Sequence, residues 1–207
     1  GRGNLKYLTS YTKSKDIIFF PDSLIARAEQ YEIKEKTTAT EYPGLVGRDV
    51  LVQWYPDKDN MRVTQKGDPF AMYDKKVALT GSVNLGPRGL SGEGLLAFSK
   101  VEMVSRNYAF KHHTFQSDTT DVVFKTPDLT EMVLRTDNFN VNVDFQKQIG
   151  KFKSNDEDSK ISFPFNNYAC YMYNFDWLME KDELLLKSAK KDELASLKGM
   201  KKADIID

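Results

Sequence analysis

The chain of 207 residues carries one cysteine, two histidines and no excess of either charge. Each shortage excludes something. Cys170 alone closes no internal disulfide and supplies no thiolate metal cluster. Its neighbours Ala169, Tyr171 and Met172 suit a packed strand thiol better than a nucleophile. His112 and His113 are adjacent, and on a strand adjacent side chains point to opposite faces, so they are expected to share no metal. A Ser-His-Asp or Cys-His site would have to use one of these two, and nothing around Ser105, Ser117 or Cys170 forms a nucleophile elbow. The 30 basic residues balance 30 acidic ones. There is accordingly no electrostatic reason to expect nucleic acid or an anionic membrane as partner. No apolar run approaches the roughly 18 residues a membrane-spanning helix needs. The opening residues have no basic stretch followed by an apolar run of about 7–15 residues, the pattern of a secretory leader. Gly1 stands where Met would open a full reading frame, and we expect a piece of a longer precursor.

Aromatic residues are plentiful, at 12% of the chain with 13 Phe and 10 Tyr, and such side chains favour sheets. Alternation with a period of two runs through most of the sequence. In 77–100 (VALTGSVNLGPRGLSGEGLLAFSK), Val77, Leu79, Gly81, Val83 and Leu85 share one face. Gly86-Pro87-Arg88-Gly89 supplies a turn. Gly81, Gly92 and Gly94 inside the strands mark a bend or a close backbone approach, so the stretch reads as a corner of a continuous β architecture. The alternation is strongest at Phe139, Val141, Val143 and Phe145, with Asn140, Asn142 and Asp144 between them. One face then lies in a core and the other in water. Residues 22–36 admit a helix capped by Asp22 or Ser23, but the alternation of Leu24, Ala26 and Ala28, then Tyr31 and Ile33, favours a strand pair. Residues 45–55 form an apolar strand, and 56–69 a polar loop holding a short strand at 61–63. Four of the seven prolines follow an aromatic residue, which suggests strand ends with the ring turned inwards. Residues 168–179 are aromatic on both faces and suit a strand covered on both sides. Residues 188–207 are less regular, either a short helix or extended chain. We expect a single all-β domain over 1–207 with little helix: an elongated array of roughly 14–18 short strands, solenoid-like or an open β-jelly roll.

Chemistry is thinly signalled. Asp156, Glu157 and Asp158 form the densest acidic cluster, and Asp118 and Asp121 a second. Both read as solvated turns; calcium is the alternative for the first, although it lacks the spacing and glycine of an EF-hand loop. The glycines of 86–94 are not followed by a Lys-Ser/Thr pair or a helix, so no phosphate loop is expected. Trp54, Tyr55, Tyr171, Tyr173 and Trp177, with Phe175 among them, are candidates for an aromatic surface that binds glycan or acyl chains, with core packing as the plainer reading. Carboxylate pairs suited to glycoside hydrolysis cannot be singled out among thirty acidic residues. No cofactor is implied.

Four motifs carry a resemblance: Leu79-Thr80-Gly81, the GPRGLSGEG of 86–94, Val143-Asp144-Phe145, and the FPFNNY of 163–168. On these the stretch 77–175 resembles a family of large, uncharacterised envelope proteins of Gram-negative bacteria. More loosely, the alternating strands resemble the β-jelly-roll repeats of periplasmic lipopolysaccharide-transport proteins, which carry an acyl chain in an open apolar trough. These resemblances imply a periplasmic or extracellular location in the cell envelope. They also imply the rest of a longer chain, or another envelope protein, as partner. We therefore expect a non-catalytic structural or interaction segment. The alternatives are amphiphile or glycan binding in an aromatic-lined groove, and a carbohydrate-active β-helix enzyme.

Overall fold

A computed structural model describes residues 2–156 and 160–187. The protein is all-β. The described residues form sixteen strands, in chain order β1 Gly3–Tyr7, β2 Ser10–Phe19, β3 Leu24–Ile33, β4 Leu45–Tyr55, β5 Asn60–Gln65, β6 Phe70–Met72, β7 Val77–Gly86, β8 Gly89–Phe98, β9 Val101–Phe110, β10 Thr114–Lys125, β11 Met132–Asp144, β12 Ile149–Ser154, β13 Lys160–Phe163, β14 Tyr168–Tyr171, β15 Asn174–Leu178 and β16 Glu183–Lys187. Helical structure among the described residues is confined to two single 3-10 turns, Pro56–Lys58 and Pro164–Asn166. Every pairing is antiparallel, and the strands follow one another in one elongated sheet with few departures from sequence order. No helix among the described residues is long and apolar enough to cross a membrane.

A sheet this long with one apolar face must fold on itself to hide that face. The register shows where it folds. In β3 the buried positions run Leu24, Ala26, Ala28 and then shift phase to Tyr31 and Ile33. In β9 they run Val101, Met103, Ser105, then Tyr108 and Phe110. In β10 they run Phe115, Ser117, then Thr120, Val122, Phe124, and in β11 Leu134, Thr136, then Phe139, Val141, Val143. β2 and β4 slip likewise, around Lys15 and Asp49. Each slip is one extra residue, a β-bulge, which bends the strand. The bulges lie beside one another in the pairing: Ala28 pairs with Val50 and Gln30 with Arg48, leaving Glu29 opposite Asp49. They form a continuous crease. The shorter strands avoid it. β5 and β6, β12 and β13, and β14 and β15 each meet at it, the chain crossing from one side to the other.

The crease divides the sheet into two leaves. The front leaf holds 16–19, 24–28, 50–55, β5, 82–86, 89–92, 107–110, 114–117, 139–144, β12, β15 and β16. The back leaf holds β1, 10–13, 30–33, 45–48, β6, 77–80, 95–98, 101–105, 120–124, 132–136, β13 and β14. Their inner faces meet in one core. Phe124 of the back leaf meets Phe152, Phe175 and Trp177 of the front leaf at ring distances of 5.7, 6.0 and 5.3 Å. Phe98 meets Trp177 at 5.6 Å, and Tyr7 meets Trp54 at 5.8 Å. The Tyr31 hydroxyl reaches the Met61 sulfur across the same gap at 3.7 Å.

The corner expected at 77–100 is present. Gly81 faces Gly94 across β7 and β8 with φ of +153° and +125°, and a Cβ on either would sit 2.1 Å from the opposite strand's carbonyl oxygen. Pro87 and Arg88 form the hairpin loop. The segment 22–36 contains a single strand, β3, rather than a helix or a strand pair, because the bulge at Glu29 shifts the phase without ending the strand. The 168–179 stretch is two strands, β14 and β15, split at the crease. Tyr168 and Tyr171 of β14 are exposed and only Phe175 and Trp177 of β15 are buried, so the stretch is not covered on both faces. The expectation for residues 188–207 lies outside the described residues.

Candidate functional site

Three features outside the packed core draw attention: the crease, the mouth opposite it, and the two ends of the roll. The crease is polar; its serine hydroxyls are hydrogen-bonded, whereas the buried Thr120 and Thr136 hydroxyls beside it have no partner among the described residues. Ser14 Oγ accepts the Asp16 N–H at 3.1 Å and donates to the Arg27 carbonyl at 2.6 Å. Ser105 Oγ accepts the Asn107 N–H at 3.2 Å, and Ser154 Oγ accepts the Asp156 N–H at 3.0 Å. One device therefore recurs: a buried hydroxyl bridges its own strand two residues on and holds the bulge. Asp118 and Asp121 belong to this crease within β10, not to a turn. Asp118 accepts from Asn140 Nδ2 at 3.1 Å, and Asp121 from the Asn138 N–H at 3.2 Å. Asp156 accepts from Asn138 Nδ2 at 2.8 Å; Glu157 and Asp158 lie outside the described residues. No group of three or more His, Cys, Asp or Glu side chains suited to a metal ion occurs among the described residues.

At the mouth the leaf margins come together. Tyr73, in the turn after β6, donates its hydroxyl to the carbonyls of Lys111 and Thr114, at 3.1 and 2.7 Å, and so ties that turn to the β9–β10 loop. Burial holds its phenol well above the ordinary tyrosine range. Its ring packs on Phe145 at 4.7 Å. A cleft of about 810 Å³ opens here, lined by Lys34, Glu35, Lys75, Lys76, His112 and His113 among others. The two histidines are not on a strand with opposed side chains. They occupy the β9–β10 loop with ring centroids 3.8 Å apart, and His112 Nδ1 lies 3.7 Å from Glu35 Oε2. The loop lets neighbouring side chains lie side by side. The cleft mixes both charges.

The five aromatic candidates do not share one surface. Trp177 is 2% exposed and belongs to the core between the leaves. Trp54 is half-buried against Tyr7 at the start of the roll. Tyr55 beside it lies under Lys58 Nζ, 5.4 Å from the ring centre. Tyr171 and Tyr173 sit near the other end: Tyr171 is 73% exposed on β14, and Tyr173 lies at the crease with Lys153 Nζ 5.4 Å above its ring. Tyr55 and Tyr171 thus face solvent at opposite ends.

The ends are where the core is left uncovered. Antiparallel partners share a face, so Phe19, opposite buried Leu24, points inwards; it is nonetheless 74% exposed. Leu186, opposite buried Phe175, also points inwards and is 43% exposed. Tyr168 pairs with Phe163, which packs on the core, and is 61% exposed. In the strand order β1 and 16–19 bound one end, and β14 and β16 the other. Sequence reasoning missed these positions. Their signal, aromatic or aliphatic residues in strands at each end of the sheet, emerges only once the strand order is known.

The described residues thus define a class: an antiparallel sheet creased into a two-leaved roll with a side-chain-filled interior. Comparison with protein-family models, with curated proteins and with solved structures finds no match for this chain.

Proposed function

We propose that the chain is a non-catalytic structural and interaction segment of a larger cell-envelope protein, with the rest of that chain or another envelope protein as its partner. The observation that carries this reading is the state of the core. Between the leaves it is filled by fully buried aromatic and aliphatic side chains such as Phe115, Phe124, Phe139 and Phe152, leaving no trough there for an acyl chain. Towards the two ends inward-pointing side chains such as Phe19 and Leu186 are exposed. A roll that packs its middle and exposes its ends is suited to being continued by another β-structure rather than to enclosing a ligand. The envelope location rests on the sequence resemblance of 77–175.

The test is native mass spectrometry of the purified chain, alone and with excess long-chain fatty acid and lysophospholipid. The expected spectrum is the bare polypeptide mass. A one-to-one acyl adduct that survives dilution would replace this reading with amphiphile binding.

A further inference from the structure

We propose that the outer face of the front leaf, over β11, β12 and β15, binds an oligosaccharide that carries carboxylate groups. The inference goes beyond the reading of the chain as an interaction segment and does not depend on it. A hollow of about 700 Å³ lies on this face. Its floor follows from the register. The inward positions of these strands are the buried Val141, Val143, Phe152, Phe175 and Trp177, so the residues between them point outwards. Three outward rows cross the strands: Asn140, Lys153 and Asn174; Asn142, Lys151 and Asp176; and Asp144, Ile149 and Leu178.

The carboxylates of the hollow are already engaged. Asp144 accepts the backbone N–H of Gln146 at 3.0 Å and of Lys147 at 2.9 Å, and Lys147 Nζ lies 3.6 Å from its other oxygen. Asp176 accepts from Lys187 Nζ. Lys151 and Lys153, by contrast, have no carboxylate partner among the described residues. Both are exposed, and they stand two positions apart on β12, roughly 7 Å along the strand. Lys153 Nζ rests 5.4 Å above the Tyr173 ring, which orients the ammonium without neutralising it. The hollow therefore holds two uncompensated positive charges in a chain whose net charge is zero. An anionic ligand is the complement of that excess.

The neutral side chains favour a sugar over a bare anion. The amides of Asn142 and Asn174 flank β12 on either side, and neither has a hydrogen-bond partner among the described residues. An amide offers N–H donors and an acceptor oxygen together. Neighbouring sugar hydroxyls, which donate and accept, use both; an inorganic anion uses the donors alone. Ile149 and Leu178 pair at the mouth side of the hollow and are half-buried. They form an aliphatic shelf suited to the C–H face of a sugar ring. Lysines for carboxylates, amides for hydroxyls and a shelf for the ring face are what an acidic oligosaccharide requires, and the hollow lies within the usual size of a small-ligand site, about 300–1,000 Å³.

Titration of the full, isotope-labelled chain with tetragalacturonate, followed by nuclear magnetic resonance, tests this. Amide signals of β11, β12 and β15 should shift and saturate. The fully methyl-esterified tetramer keeps the hydroxyls and loses the charges, and should bind about ten-fold more weakly. Lys151→Gln combined with Lys153→Gln should weaken binding of tetragalacturonate by about the same factor. Asn142→Ala should weaken it too, but leave the weaker binding of tripolyphosphate, a probe with charge and no sugar, unchanged. All three positions are exposed, and unchanged urea midpoints verify that the variants fold; should one lose stability, the comparison of acid with ester on the parent chain still decides. The inference is overturned by the lack of saturable shifts, by shifts confined to another face, by equal binding of the ester, or by an affinity that ignores the lysine pair. It is also overturned if tripolyphosphate binds as tightly as tetragalacturonate, since the face would then read charge alone. None of these outcomes bears on acyl adducts, so the interaction-segment reading stands or falls by the mass spectrum independently.

Discussion

At the scale of single residues, the fold depends on side chains that are small or hydroxylated where the sheet must bend. Gly81 and Gly94 face each other so closely that a Cβ on either meets backbone oxygen at 2.1 Å, a gap no rotamer change can open. Their φ values add strain for any side chain. Gly81→Ala is expected to cost more than about 3 kcal/mol, read as a lowered urea midpoint. A loss below about 1 kcal/mol would mean that the two strands separate at little cost. Beside them Glu93 accepts from Arg62 and from Ser82 Oγ, the latter at 3.0 Å. The hydrogen bond from Arg62, then that from Ser82, holds the Glu93 carboxyl below its usual range. Its folded pKa thus lies under the unfolded value of about 4.3. The stabilisation is complete above that value and is lost as pH falls through the lowered folded pKa. Glu93→Gln should be less stable than the parent at pH 7, and the gap should close below about pH 4. The group is partly solvent-exposed, so the effect is small. Chemical denaturation across pH 3–7 checks it; a gap that stays constant with pH would contradict the assignment.

At the scale of elements, most strands were legible because each leaf keeps a strict period of two. Phe139, Val141 and Val143 face the core as the alternation requires. The crease was not legible. Its mark is a one-residue phase slip, and in the sequence a slip between Thr136 and Phe139 looks like the end of one strand and the start of the next. The hydroxyls that hold it, Ser14, Ser105 and Ser154, carry no signal in the sequence, because their role depends on neighbours in space. The histidine pair was misjudged for a related reason, since opposed side chains follow only if the residues lie on a strand, and the loop at Lys111–His113 breaks that premise. The aromatic candidates scattered because alternation gives the face of a strand but not its depth: Trp177 and Tyr171 are both aromatic residues on strands, one beside the core and one at an edge. Tyr73 shows how far apart in sequence a binding element and its target can be. Its hydroxyl serves two carbonyls about forty residues on, and Tyr73→Phe leaves both without that donor, a loss of about 1–3 kcal/mol. Amide exchange should quicken locally in the β9–β10 loop, and unchanged exchange there would mean that the tyrosine does not tie the mouth.

At the scale of the whole molecule, one sheet covers itself. The cross-leaf rings around Phe98, Phe124 and Trp177 join strands near the middle of the chain to strands near its end. Their burial closes the inner faces of the two leaves against each other. Towards β1 at one end and β14 and β16 at the other, the same inner face loses its cover. The difference between centre and ends is the physical basis for reading the chain as a segment to be continued. It also separates that reading from a trough, whose looseness would lie along the middle.

Hydrogen exchange read by mass spectrometry, on dilute protein with and without excess fatty acid, tests this most directly. Strands β7 to β11 should exchange only at the rate of global unfolding, while β1, 16–19, β14 and β16 exchange orders of magnitude faster, and fatty acid should leave both patterns unchanged. Fast exchange through β7 to β11 that slows on adding fatty acid would contradict the account, because the interior would then be a binding trough and not a filled core.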